Sequence, residues 1–226
     1  TSRVMVEEFL EGQQYSTESI IMDEKNVTVG FAERNYEFLE ELSPYIIENG
    51  GQQPAKIDKK ELDSIIKLVE KSSQILGISN AISKGDVVMT KDGPKIIEIA
   101  PRLSGGYFSS DQIPLATGIN IIEIAIRLSL GEKINKDKLF FRDQNAVAIR
   151  YFFPKPGKIT SISNIDLFKN KSWVHKLDLF FGVDDVLEKI IDHTKRCGFV
   201  ITTGNTRDEA IQRAKMVVKN VQILTT

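Results

Sequence analysis

The chain has 226 residues, enough for one large domain or two small ones. Hydrophobic residues make up 41% and charged residues 27%, and 30 basic against 31 acidic side chains leave a formal charge of -1. That balance argues against nucleic-acid or membrane-surface binding, no apolar run approaches the roughly 20 residues that cross a bilayer, and the single Cys197 excludes an internal disulfide and fits a reducing cytoplasm.

Three β-rich runs come first, over 4–10, 17–22 and 26–32, with a hairpin turn at Asp23-Glu24-Lys25-Asn26. A polar, irregular stretch over 33–56 holds Gly50-Gly51; a loop of that length in a domain is usually functional or mobile. Asp58 is placed as an N-cap, with Glu61 completing a capping box. Leu62, Ile65, Ile66, Val69 and Ile75-Leu76 then recur at helical spacing until Gly77. Strands are predicted over 81–89 and 95–100, turned by Lys91-Asp92-Gly93-Pro94, which puts Asp86 and Glu98 on neighbouring strands of one hairpin.

Residues 102–111 read as a Gly/Ser loop, followed by a helix over 120–130 that Gly131 closes. The polar stretch 132–143 places a boundary near residue 140, dividing the chain into 1–140 and 141–226. Beyond it, runs over 145–153 and 158–162 are predicted to pair as a hairpin around Pro154-Lys155-Pro156-Gly157. A β-rich run over 173–181, a short helix near 186–193 and a strand over 198–203 follow. The last helix starts at Thr206, with Glu209 as its capping-box partner.

The residues with the most chemical content are Asp86 and Glu98, with Arg102 four positions on. A hard cation such as magnesium prefers carboxylate oxygens and keeps sites open for phosphate and water. An arginine nearby presents a two-pronged donor face to a phosphate or carboxylate. From spacing alone the alternative is a surface acidic pair bridged to an arginine. Arg34 and Glu48, in the long polar stretch, could contact phosphate or a substrate amine, and Arg150 could face a cleft or pair with an acid. His175 and His193 lack metal-ligand spacing and read as structural or exposed. Cys197, ahead of an apolar strand, reads as a buried small residue.

The run Lys95-Ile96-Ile97-Glu98-Ile99-Ala100-Pro101-Arg102-Leu103-Ser104-Gly105-Gly106 resembles the metal-and-phosphate strand of the ATP-grasp superfamily. Val4-Met5-Val6-Glu7-Glu8-Phe9-Leu10-Glu11-Gly12 resembles that family's adenine hinge. Ser16-Thr17-Glu18-Ser19 falls where its next strand begins, and Gly77-Ile78-Ser79-Asn80 leads to Asp86 as the strand of its first metal carboxylate does. These matches lie in order over residues 4–131. The run from Arg196 to Ala210 is similar to the closing strand and helix of biotin-carboxylase-like and amino-acid-ligase-like members.

The resemblance implies a fold of the α+β class: an ATP-grasp C-terminal portion with a mainly antiparallel sheet and flanking helices, then a small α+β C-terminal subdomain. It implies that Glu7, Glu8 and Leu10 form the adenine hinge, that Glu18 lies near ribose or phosphates, and that Asp86 and Glu98 bind Mg2+ or Mn2+. Arg102 would meet the transferred phosphate, while Ser104, Gly105 and Gly106 would let backbone amides approach an anion. Two positions depart from the family pattern: Ala100 stands where an asparagine is common, and Asp86 where a glutamate is usual. The N-terminal α/β domain and the phosphate-contacting lysines of the family have no counterpart before Val4, so the chain is expected to be a fragment that is inactive alone.

The implied activity is an ATP-dependent carboxylate–amine ligase working through an acyl-phosphate, with a small carboxylate and an amine as substrates. Two alternatives stay open: a carbamoyl-phosphate-synthase-like or biotin-carboxylase-like enzyme that activates bicarbonate, and a catalytically silent nucleotide-binding module. A homodimer is among the assemblies left open.

Overall fold

The long strands follow from period-two alternation, which sends every second side chain to the same face. In β1 (Gln13–Met22), Tyr15 and Thr17 face one side and Ser16, Glu18 and Ile20 the other. The computed structural model describes residues 3–22, 25–135, 139 and 145–226. The tip of the hairpin expected at Asp23-Glu24 and the boundary expected near residue 140 lie outside those residues.

β1 pairs antiparallel with β2 (Lys25–Arg34) on one side and with β4 (Ala81–Thr90) on the other. β4 also pairs with β5 (Gly93–Ala100), and β2 with the short β3 (Gly51–Gln53). β3 then pairs with β6 (Ala146–Tyr151), β6 with β10 (Gly198–Gly204), and β10 with β8 (Val174–Leu179). The result is one eight-stranded antiparallel sheet in the order β5-β4-β1-β2-β3-β6-β10-β8. A second sheet joins β7 (Gly157–Ser163) to β9 (Val186–Leu187) and β11 (Gln222–Thr225). Strands from both sides of residue 140 therefore share the large sheet. The architecture is α+β and mainly antiparallel, as the sequence implies.

Helix α1 (Lys59–Ile75) starts where Asp58 Oδ1 accepts the Glu61 amide, and it packs Ile65 and Val69 against Tyr15 and Val87 on the back of the sheet. Burying such a side chain is worth about 1.5–3 kcal/mol. Helix α5 (Arg207–Asn220), capped by Thr206, covers the same face further along through Ala210, Ala214 and Val217. The alanines let the helix approach Ala148 and Val200 closely. On the front, Phe108, Ile113 and Ile121 cover Ile20, leaving the rest of that face open as a cleft. α3 (Ile121–Ser129), capped by Asn120, matches its predicted span. Among the described residues no helix is long and apolar enough to cross a membrane.

Several predicted elements differ. Residues 4–10 are not a strand: they run without a ladder, and Val4, Met5 and Val6 stay exposed. β propensity without a sheet edge to pair on does not make a strand. The runs over 145–153 and 158–162 do not form a hairpin, because β3 and β10 take both edges of β6 and Pro154 and Pro156 carry the chain away. Val186 and Leu187 pair with Lys158 and Gly157 rather than starting a helix, and only His193–Lys195 form a 3-10 turn. The loop over 102–111 ends in a π-helical turn, Phe108–Gln112, that runs into α2 (Ile113–Thr117). The stretch 33–56 holds the end of β2 and all of β3. α4 (Asp166–Lys169) and β11 were not foreseen.

Candidate active site

The register of three strands lines up the front-face polar groups. Ser16 on β1 is opposite Asp86 on β4, which is opposite Glu98 on β5. In the adjacent row Glu18, Lys84 and Ala100 are aligned. Asp86 is buried; its Oδ1 accepts the Ser16 hydroxyl at 2.6 Å and its Oδ2 meets Lys84 Nζ at 2.5 Å. Lys84 also lies 3.5 Å from Glu98 Oε1, and Arg102 Nη2 donates to that oxygen at 2.9 Å.

The segment after β5 is fastened to this floor by Glu18. Its carboxylate is fully buried and accepts the Ser104 amide at 3.3 Å and the Ser109 hydroxyl at 2.7 Å. Burial pushes the Glu18 pKa up, against the opposing effect of the Ser109 and Ser104 hydrogen bonds. Glu18 thus positions the loop instead of lying open to a ribose. Gly106 takes φ 60°, a left-handed conformation that suits glycine. Gly105 has no such need, and a Cβ built there would meet nothing within 4 Å. Its bare backbone borders open cleft.

The far wall comes from distant parts of the chain. Arg34, at the end of β2 and not in a loop, forms an ion pair with the buried Glu48. Burial works against the Arg34 charge, but Glu48 and then Asp86 leave its pKa raised. Arg196 Cζ sits over the Tyr151 ring, 3.5 Å from its centroid, and the side chain donates to the Glu48 carbonyl at 3.2 Å. His193 Nε2 accepts the Glu48 amide at 3.2 Å. Its pKa is lowered by burial of the ring and then by Arg196 and Arg34, so the ring is kept neutral.

Together Arg34, Glu48, Lys84, Arg102, Ser104, Gly105, Gly106, Tyr151, His193 and Arg196 border a cleft of about 260 Å³ over Ser16 and Phe108. Beside it is a larger, mainly apolar cavity of about 580 Å³, bordered by Glu7, Glu8, Phe9, Leu10, Tyr36, Val88, Ile96 and again His193. Gly12 lets the chain enter β1 close against β4: a Cβ there would lie 2.0 Å from the Met89 carbonyl oxygen.

The structure thus brings Arg34, Glu48, Asp86, Glu98, Arg102, Ser104, Gly105 and Gly106 together, and places Glu7, Glu8 and Leu10 at the neighbouring cavity. Arg150 is elsewhere. It is buried on the back of the sheet and donates to the Gly51 carbonyl at 3.1 Å and to Gln52 Oε1 at 2.7 Å, with burial lowering its pKa to about 10. It is a structural residue of the β3–β6 junction. Sequence reasoning missed Ser16, Lys84, Tyr151, His193 and Arg196. Ser16 and Lys84 had a signal, since each stands two positions before a named carboxylate on the same strand face. His193 had none, because its contact with Glu48 spans 145 residues of chain.

Magnesium commonly takes one or two protein carboxylates and completes its shell with phosphate and water. Asp86 and Glu98, opposed across one ladder, fit one such ion. Among the described residues no group of three or more His, Cys, Asp or Glu forms a fuller cage.

Residues 1–106 match the family described as ATP-grasp domain, and residues 150–226 match L-amino acid ligase C-terminal domain 2. The chain is 25% identical over 214 residues to an uncharacterized protein of Sinorhizobium fredii, a match covering 93% of this chain and 42% of that protein. The fold is similar to that of L-amino acid ligase from Bacillus licheniformis, with a TM-score of 0.83 and 17% identity over 96% of this chain and 55% of that one. It is similar to that of phosphoribosylglycinamide synthetase from Anaerococcus prevotii, with a TM-score of 0.82 and 16% identity over 97% of this chain and 55% of that one. The chain spans about half the length of these proteins. Between them the two family matches take in most of the chain, an ATP-grasp domain at its start and an L-amino acid ligase C-terminal domain at its end, and the fold is similar to that of these solved structures.

Proposed function

We propose that this chain is the rear half of the nucleotide clamp of an ATP-dependent carboxylate–amine ligase, with residues 1–140 forming the clamp portion and 141–226 the subdomain that closes the cleft. The observation that carries the reading is the opposition of Asp86 and Glu98 at the edge of a cleft that also gathers Arg34, Lys84, Arg102 and Arg196. Two carboxylates with four cations around a bare glycine backbone suit a bound polyphosphate and its metal. The apolar cavity beside Glu7, Glu8 and Leu10 suits a planar base.

In the proposed reaction a carboxylate oxygen of the acid attacks the γ-phosphorus of ATP, the bond to ADP breaks, and an acyl-phosphate forms. An amine nitrogen then attacks the acyl carbon, phosphate leaves, and the nitrogen loses a proton. Asp86 and Glu98 would hold magnesium, which when bound would supply positive charge to offset that of the phosphates. Arg102 stabilises charge on the transferred phosphoryl group, and the Gly105 and Gly106 segment admits the anion to backbone amides. Arg34 and Arg196 draw the acid to the far wall. Glu18 holds the loop in place and keeps out of the reaction.

The test is phosphate release from Mg-ATP by the longer protein that carries this chain, screened against amino acids, small acids and bicarbonate, with Glu98→Ala as control. Release that requires both an acid and an amine, and is lost in the control, is the expected result. Release with bicarbonate alone points to bicarbonate activation. ADP binding without release in any pool points to a silent module.

A further inference from the structure

Lys84 has no part in the reasoning from sequence, yet it is the most buried cation of the cleft, at 8% exposure. It stands two residues before Asp86 on β4, so both side chains share the front face. Its Nζ sits 2.5 Å from Asp86 Oδ2 and 3.5 Å from Glu98 Oε1. The Ser16 hydroxyl occupies Asp86 Oδ1, and Arg102 occupies Glu98 Oε1. Both oxygens of one carboxylate and one of the other are already committed to donors, and two negative charges are matched by two positive ones. Ala100, opposite Lys84 on β5, is too short to cover the lysine from that side.

We infer that Lys84 is a built-in counter-ion for the carboxylate pair, so that a divalent cation enters only together with an anionic phosphate that draws Lys84 and Arg102 away. This rests on the reading of Asp86 and Glu98 as the carboxylates that hold the metal. A dication approaching the site as it stands meets a neutral cluster with an ammonium between its ligands. Lys84 and Arg102 both border the cleft, so a phosphate arriving there gives each a new partner and releases the carboxylates. Metal and nucleotide then bind with positive coupling, each raising the affinity for the other by the same factor.

The test is Mn2+ binding followed by the paramagnetic signal of free Mn2+, for the chain alone and with ADP, corrected for Mn2+ held by free ADP. The proteins are wild type, Lys84→Met and Lys84→Met with Glu98→Gln, each checked for folding by circular dichroism. Without nucleotide, Lys84→Met should bind Mn2+ on the order of tenfold or more tightly than wild type, since one opposing charge is gone. ADP should close that gap, and Glu98→Gln should remove the gain. Wild type alone supplies a second measurement, because its Mn2+ affinity must rise when ADP is added. Equal, Glu98-dependent binding by wild type and Lys84→Met without nucleotide overturns the role of Lys84 and leaves the metal site standing. No Mn2+ binding by any of the proteins, with or without ADP, overturns both.

Discussion

Asp86 and Glu98 occupy directly opposed positions of the β4–β5 ladder but very different surroundings: Asp86 is buried beneath Ser16 and Lys84, while the Glu98 side chain is 45% exposed. The proposed ligand pair therefore separates stability from activity. Asp86→Ala leaves Lys84 buried without its nearest partner and should lower stability by about 2–4 kcal/mol in urea unfolding. Glu98→Gln loses only half-exposed contacts and should stay within about 1 kcal/mol of wild type. Both should reduce phosphate release by the longer protein by about a hundredfold or more.

Gly105 and Gly106 make a second contrast. Gly106→Ala puts a side chain at φ 60° and should cost about 1 kcal/mol in thermal unfolding. Gly105→Ala meets no neighbour within 4 Å and should leave unfolding within about 0.5 kcal/mol of wild type. If phosphate approaches the backbone there, Gly105→Ala should nonetheless weaken ADP binding in calorimetric titration. Unchanged ADP affinity would remove the loop from the anion site.

Glu18 predicts a pH dependence. Burial raises its pKa above the ordinary carboxylate value of 4.5, so the folded chain holds the proton over a range where the unfolded chain has lost it. Its contribution to stability is therefore fully present below pH 4.5 and lost as pH rises through the folded value. Glu18→Gln removes this loss. The stability of the variant relative to wild type should climb as pH is taken from 4.5 to neutrality, measured by urea unfolding at each pH. A constant difference would contradict the raised pKa.

Arg150 should behave as a structural residue. Arg150→Met leaves the Gly51 carbonyl and Gln52 without their buried donor and should cost about 1–3 kcal/mol. The KM for ATP of the longer protein should not change, because the side chain is on the face of the sheet opposite the cleft.

What could be read in advance follows the range of the interactions. Asp58 and Thr206 were readable as caps because a cap is made within three residues of chain. The Asp86–Glu98 hairpin was readable because its turn is local. Arg34, Glu48, His193 and Arg196 meet through a sheet that brings β2, β3, β6 and β10 side by side, and no local pattern carries that order. Arg150 shows the converse: an arginine in a strand reads equally as a cleft residue or as the partner of an acid until the face of its strand is known. The segment 4–10 was misread for the same reason, since its apolar residues look like a strand but have no partner.

The most direct test of the proposed acyl-phosphate is to trap it. The longer protein would be given Mg-ATP, candidate amino acids and hydroxylamine, and hydroxamate would be measured beside ADP and phosphate. The account predicts hydroxamate in step with ADP for the correct acid and none from the Glu98→Ala variant. ADP and phosphate formed with every acid, without hydroxamate, would contradict it.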